Sequence, residues 1–213
     1  MKLINKKITE SYKIIHNFYK NIQFRDENIP IVNNLIDSEI SSKHWKHLNV
    51  KNKIVLDLGC GFWDLEDIHE TSPIFFKNKG ALEVIGVDMN NKDILFFDNY
   101  FKNELKDFKS KFICTAITKS EQLEKIILRN NIESIKSDIE GFEVLFFKLK
   151  ASTFEKVTSM SFEYHSQAIL LELLFNFKKW GFEIIDHSLF NYSTPTLGVI
   201  TVEKNRTNVK LKG

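Results

Sequence analysis

Five short apolar runs, spaced along the chain and each stopped by a glycine, an acid or a polar turn, constrain what it can fold into. "KIVLDLG" at 53–59 is followed by "EVIGVDM" (83–89), "KFICTAI" (111–117), "IESIKSDI" (132–139) and "KVTSMSFEY" (156–164). A continuous apolar run with a sharp stop is what a strand buried on both faces requires. Helical segments lie between these runs. "SPIFFKNKG" offers Ser72 as N-cap, Pro73 at the first helical position and Gly80 past the end. "NKDILFFDNYFKNEL" follows the second run, and "TKSEQLEKIILRN" opens on a capping box, Thr118 with Glu121, and sets Leu123, Ile126 and Ile127 on one face. "QAILLELLFNFKKWG" is a long apolar helix ended by Gly181. Strands alternating with helices give βαβ units and a parallel sheet covered on both faces. The last two runs, "FEIIDHSLF" and "TLGVITVEK", are joined only by "NYSTP", which leaves no room for a crossover helix. They should pair as an antiparallel hairpin. The expected class is α/β, a doubly wound and mostly parallel sheet that ends in an antiparallel hairpin.

Ahead of this pattern, Ile4, Ile8, Tyr12, Ile15, Tyr19 and Ile22 recur at spacings of three and four, which marks an amphipathic helix over 3–22. A second helical segment is expected from Pro30 to about Leu48. Together they make an N-terminal helical appendage, residues 1–50, before a main domain at 51–205 and a polar tail at 206–213. A chain of 213 residues suits one domain with such an addition. Nineteen phenylalanines against eight glycines and three prolines imply few tight turns and a core filled with aromatic rings.

Composition also excludes some classes of function. With 43% hydrophobic and 27% charged residues the chain is not of the disordered type. A net charge of +2, with both signs interspersed, lacks the footprint of a nucleic-acid binder. No run approaches the ~18 apolar residues of a membrane span. The first residues, "MKLINKKITESYK", carry charges and no apolar core of a secretory signal. Cys60 and Cys114 sit in apolar strand-like contexts and imply no disulfide framework. A cytoplasmic protein is the expectation.

In open α/β sheets, ligands bind beyond the carboxyl ends of the strands, at the point where the strand order reverses. The strand ends are therefore where chemistry is sought. The first gives "LDLGCGFWD": Gly59 and Gly61 allow a tight turn and close approach to a ligand, and Asp57 stands on the strand's last turn. A dinucleotide fingerprint would need glycine at position 64, which is Asp64, so a pyrophosphate is disfavoured and a cationic or zwitterionic ligand suits better. The second strand ends in Asp88, whose carboxylate can accept both hydroxyl hydrogens of a ribose.

These features resemble the class I S-adenosylmethionine-dependent methyltransferases. "VLDLGCG" followed by "VIGVDMN" is similar to that superfamily's first two motifs, and the terminal hairpin is similar to its sixth and seventh strands, across residues 53–203. Within that class, "SEQLEKIILRNNIESIKSDIEGFEVLFFK" resembles the FkbM family, whose hallmark is a helix, a short turn and a strand ending in Asp-x-Glu-Gly-x-Glu. The matching positions are Asp138, Glu140, Gly141 and Glu143, and Glu163 in "SFEYH" matches an acid that the family tends to carry after the next strand. The likeness covers roughly 53–165. Two features depart from it: Asp88 stands where many members have glutamate followed by proline, and the eleven residues "FWDLEDIHETS" separate the glycine turn from the next helix. The resemblance implies a Rossmann-like fold and S-adenosyl-L-methionine as cofactor, held by Asp57, Gly59, Cys60, Gly61, Asp88, Met89, Ala116 and Ile117. Asp57 and the glycines would meet the methionyl part, Asp88 the ribose, and Ala116 with Ile117 the adenine. The implied reaction is O-methylation of a hydroxyl on a sugar or other small-molecule acceptor. An enzyme directed at nitrogen or RNA is the alternative, as is a non-catalytic binding module.

The acids admit more than one role. Asp138 could be the base that takes the acceptor's proton, or a cap on the following helix. Glu140 could do either, and Glu143 lies inside the next helix as a structural residue. Glu163 and His165 are two apart on a strand and so share a face. Converging with Asp138 they could hold a divalent ion, contact substrate or act as base, or be a solvated strand end. The segment "FWDLEDIHETS", with Asp64, Glu66, Asp67, His69 and Glu70, reads as a lid or as a solvated acidic loop. His44 and Trp45 would cover the donor or fill the core. Cys60 reads as packing, with no base beside it, and His16, His47 and His187 show no partners at a useful spacing.

Overall fold

The computed structural model describes residues 34–35, 44–61, 71–190 and 197–204. Their strands are β1 (Asn34–Leu35), β2 (Ile54–Leu58), β3 (Glu83–Asp88), β4 (Lys109–Cys114), β5 (Ser134–Ser137), β6 (Ser159–Tyr164), β7 (Phe182–Leu189) and β8 (Gly198–Lys204). The helices are α1 (Ser72–Asn78), α2 (Asn91–Glu104), α3 (Ser120–Arg129) and α4 (Gln167–Trp180), with 3-10 turns at Phe142–Lys148 and Ala151–Phe154.

All eight strands form one sheet in the order β1-β7-β8-β6-β5-β2-β3-β4. The chain winds outward from β2 through β3 to β4, then returns to lay β5 and β6 on the other side of β2, all parallel. β8 inserts between β6 and β7, antiparallel to both, so the expected closing hairpin is present. The order reverses between β2 and β5, which places the switch point beside Gly59 and Asp138.

The runs become strands because both faces are covered. Val55, Leu56, Asp57 and Leu58 of β2 are all fully buried, as are the four residues of β5. The aromatic core expected from composition is a continuous network, with Phe154–Trp180 ring centroids 4.6 Å apart, Phe146–Phe162 at 4.7 Å and Phe162–Phe177 at 5.4 Å. α4 starts where the Ser166 hydroxyl accepts the Ile169 N–H (3.2 Å) and ends at Gly181, whose φ of +82° supplies the left-handed turn.

Two predicted caps are displaced. α1 is preceded by Thr71, and the Ser72 hydroxyl is drawn away to Asp57. α3 begins at Ser120; its box is closed by Gln122, whose side-chain oxygen accepts the N–H groups of Thr118 and Lys119, both at 3.0 Å, so Thr118 and Glu121 do not form the expected pair. The segment expected as one helix from Pro30 to Leu48 is not continuous. Asn34 and Leu35 instead extend the sheet beside Ser188 and Leu189, because edge strand β7 offers open backbone groups there. Trp45, Leu48 and Val50 are buried against Val55, Phe76, Ala81, Val84 and Val199. The predicted helix at 3–22 and the tail at 206–213 lie outside the described residues.

Candidate functional site

The turn after β2 leaves the strand through Gly59 at φ +69°, and a Cβ there would lie 1.7 Å from the Asp138 carbonyl oxygen. The ends of β2 and β5 thus meet backbone to backbone, an approach that glycine permits. Two residues on, the Gly61 N–H donates to Asp88 Oδ2 (2.9 Å), and a Cβ on Gly61 would run into the Asp88 and Asp93 carboxylates at 2.7 Å. Asp88 Oδ1 accepts the Asn90 N–H (2.8 Å). Each oxygen of this half-buried carboxylate therefore takes one backbone proton and keeps a second acceptor direction. Next to it Met89 is 77% exposed, and Ala116 is exposed at the end of the neighbouring strand. An acid with spare acceptor capacity beside an exposed apolar ledge fits an adenosyl group. Ile117, expected in the same contact, is instead packed in the core with Leu123 and Leu145.

Asp57 differs from expectation. It is wholly buried, ion-paired to Lys136 Nζ (3.1 Å) and accepting the Ser72 hydroxyl (2.7 Å), so its carboxylate faces the protein and not a ligand. The register explains this, since Asp57 of β2 lies directly opposite Lys136 of β5. Burial pulls the Lys136 ammonium down, but Asp57 and Asp138 more than offset it and hold the group above its ordinary value, as a cation. Cys60 is fully buried, and that burial pushes its thiol well up, so the side chain packs inside and does not meet a ligand.

Across the switch point the acids gather. Asp138 stands just past β5, Glu163 on β6 and His165 just past it, with one ligating atom from each lying within 4.8 Å of the others. Ser159 to Phe162 of β6 are all buried, and only at the strand's end does burial alternate, with Tyr164 inside and Glu163 and His165 partly exposed. His165 Nε2 lies 3.2 Å from Glu140 and 3.4 Å from Glu163, and its Nδ1 is 4.0 Å from Glu143. No side chain caps the 3-10 turn that begins at Phe142; its cap is Gly141, so Asp138 does not cap it. Glu140 and Gly141 both adopt left-handed backbone, φ +51° and +91°; glycine takes this freely, while for Glu140 it is strained, as residues at functional turns often are. Glu143, predicted structural, closes this turn by accepting the Ile139 N–H (3.1 Å) and is itself fully buried, which raises its carboxyl above the ordinary range.

The hydrogen bond to Glu163 pushes His165 up to about 9, against the opposing effect of its own burial, with the charges of Glu163, Glu140 and Glu143 adding to the rise. At neutral pH His165 is an imidazolium. It can steady the carboxylates but cannot accept a proton. Its folded value exceeds the unfolded one near 6.5, so its charge stabilises the fold fully below that pH, and the contribution is lost as pH climbs through about 9. A proton NMR titration should place the His165 midpoint near 9, and Glu163→Gln should bring it down. A wild-type midpoint at 6.5 would contradict this arrangement.

The remaining candidates do not join the site. Trp45 is a core residue, and His44 packs on Phe190. His187, without an apparent partner in sequence, meets the Tyr164 hydroxyl at 2.8 Å, and burial lowers it. His47 approaches Asp186 at 3.7 Å. His16 and residues 62–70 of the expected lid lie outside the described residues. Sequence reading missed Lys136. Its signal was a lysine inside a strand expected to be buried on both faces, two residues before Asp138.

No family model matches the chain, and no curated protein sequence matches it either. Solved structures do resemble it. A protein of the NAD-binding Rossmann superfamily from Streptococcus agalactiae aligns at TM-score 0.54 and 16% identity, over 84% of this chain and 73% of that one. A candidate tRNA (m1A22) methyltransferase from Streptococcus pneumoniae aligns at 0.52 and 14%, over 83% and 74%. Fibrillarin from Aeropyrum pernix, solved with natively bound S-adenosyl-L-methionine, aligns at 0.52 and 12%, over 76% and 72%. At such identities the likeness speaks for architecture: the chain has the Rossmann-like fold of these methyltransferase structures, a mostly parallel sheet closed by an antiparallel hairpin.

Proposed function

We infer that this chain is an S-adenosyl-L-methionine-dependent methyltransferase that acts on a hydroxyl of a sugar or small metabolite. The observation that carries the reading is the meeting of two half-sites at the switch point. Gly59, Gly61 and Asp88 lie on the β2–β3 side, and Asp138, Glu163 and His165 on the β5–β6 side, with Gly59 against the Asp138 backbone. The donor, when bound, supplies an electrophilic methyl group. In this reading Asp88 takes the ribose hydroxyls, and Met89 and Ala116 flank the adenine. Asp138 accepts the proton the acceptor oxygen loses as its bond to carbon forms. Glu163 and Glu140 orient the acceptor, and His165 balances their charge. The likeness of "SDIEGFE" to the FkbM pattern supports oxygen as the acceptor atom.

Titration calorimetry with S-adenosylhomocysteine should find one site. Asp88→Ala should weaken it by about 1–3 kcal/mol, by removing the acceptor for two hydroxyls and leaving the Gly61 and Asn90 N–H groups without their carboxylate. No heat at millimolar ligand would favour a non-catalytic module.

The convergence of Asp138, Glu163 and His165 also supports a second reading, in which His165 gives up its proton and the three hold a divalent ion that polarises the acceptor oxygen. Under it chelator abolishes turnover and Mg²⁺ or Mn²⁺ restores it; full activity in chelator removes it. The candidate tRNA methyltransferase among the structural neighbours supports an N- or RNA-directed enzyme, while the net charge of +2 counts against RNA. Transfer of tritiated methyl to total RNA, compared with a panel of hydroxylated sugars and metabolites, separates the two.

A further inference from the structure

We propose that Lys136 is a positioning residue that ties the donor-binding turn to the acceptor acid, and so fixes the two half-sites relative to each other. The proposal rests on the methyltransferase reading above. Lys136 is 2% exposed, in the middle of a four-residue strand with no solvent on either face. Burying an ammonium is costly unless it is paired and hydrogen-bonded. A scaffold pair would need only Asp57, which lies across the strand with one oxygen 3.1 Å from the ammonium and the other accepting the Ser72 hydroxyl. Yet the ammonium reaches further. It donates to the Gly59 carbonyl at 2.5 Å, on the turn itself, and it lies 3.8 Å from Asp138 Oδ2. The face of Trp45 covers it at 5.1 Å, which keeps water from competing for these contacts.

The three partners belong to different parts of the machinery. Asp57 is scaffold, Gly59 opens the turn, and Asp138 is the acid beyond β5. The backbone contact between Gly59 and Asp138 brings the two strand ends together but leaves the direction of the turn and of the Asp138 side chain undetermined. The ammonium donates one hydrogen bond, to the Gly59 carbonyl, and holds Asp57 and Asp138 by charge at 3.1 and 3.8 Å. Among the described residues Lys136 is the only fully buried lysine, so its placement is not a general habit of this fold's surface.

The test uses the full chain and two double variants, Asp57→Asn/Lys136→Met and Asp57→Asn/Lys136→Gln. Each removes both buried charges, so neither leaves an orphaned ion. The glutamine amide can still donate to the Gly59 carbonyl; methionine cannot. Calorimetry with S-adenosylhomocysteine should find the glutamine form within about three-fold of wild type and the methionine form at least about ten-fold weaker. Without ligand, amide exchange at 59–61 and 138–141 should be faster in the methionine form at both strand ends. Equal affinity and equal exchange in the two forms, whether high or low, would overturn the proposal and leave Lys136 a scaffold residue. If wild type binds no S-adenosylhomocysteine, the donor reading fails by itself, and the exchange comparison still decides Lys136. If the double variants do not fold, spectroscopy of ¹⁵N-lysine-labelled wild type decides. The buried ammonium resonance should shift when S-adenosylhomocysteine is added, and an unmoved resonance in saturated protein would count against the tie.

Discussion

Asp138→Asn should keep S-adenosylhomocysteine affinity near that of wild type and lose roughly 10²–10⁴ in turnover, the range of a general base. Asparagine preserves size and most hydrogen bonding, and the Asp138 backbone N–H still donates to the Leu58 carbonyl at 3.1 Å, so the strand end stays in place. What disappears is the anion that takes the acceptor's proton. His165 cannot replace it, because at neutral pH it already carries its proton. Glu163 is held to His165 at 3.4 Å and offers at best a slower route. Single-turnover measurement with the acceptor found by the metabolite screen checks this. A fully active Asp138→Asn would remove the base role, and a variant that also loses cofactor affinity would mark Asp138 as part of the donor site.

Gly59→Ala carries the largest expected effect on the fold. The added Cβ would sit 1.7 Å from the Asp138 carbonyl oxygen, at a φ of +69° that side chains rarely adopt. Ordinary carbon–oxygen contacts lie at about 3.3–3.6 Å, and the obstacle here is backbone, not a side chain that could swing aside. The β2 and β5 ends must therefore separate. The expected cost is at least about 3 kcal/mol, which for a chain of this size lowers Tm by about 10 °C, with donor binding lost. Gly141→Ala is the matched control. Its φ is +91°, yet a Cβ there meets nothing within 4 Å, so only the conformational cost of about 1–2 kcal/mol applies. Thermal unfolding of both variants checks the difference. Equal melting temperatures would mean that the Gly59–Asp138 contact carries no weight.

The candidate site was partly legible because strand ends are legible. Gly59, Gly61, Asp88, Asp138, Glu163 and His165 follow apolar runs in the sequence and so stand at the mouths of parallel strands, at the carboxyl ends of the sheet. Local rules were less dependable where a tertiary partner competed. Ser72 has the sequence context of a cap, but its hydroxyl bonds a buried carboxylate 15 residues earlier in the chain. Asn34 and Leu35 fall in a segment read as helix, and the open edge of β7 captured them as strand.

The sequence by itself determined the order of elements, the parallel sheet with its closing hairpin, and which residues stand at the strand ends. Each follows from short-range facts: apolar runs, their stops, the intervening helical periods, and a link too short for a crossover. The tertiary structure decided which charges face each other. Asp57 reads as a ligand contact until the register places it opposite Lys136. Glu143 reads as a structural helix residue, and the fold adds that it is fully buried and accepts the Ile139 N–H. His165 reads as a base until three carboxylates from two strand ends surround it and keep its proton on. Electrostatic roles depend on neighbours distant in sequence and on the exclusion of water, and both are set by packing.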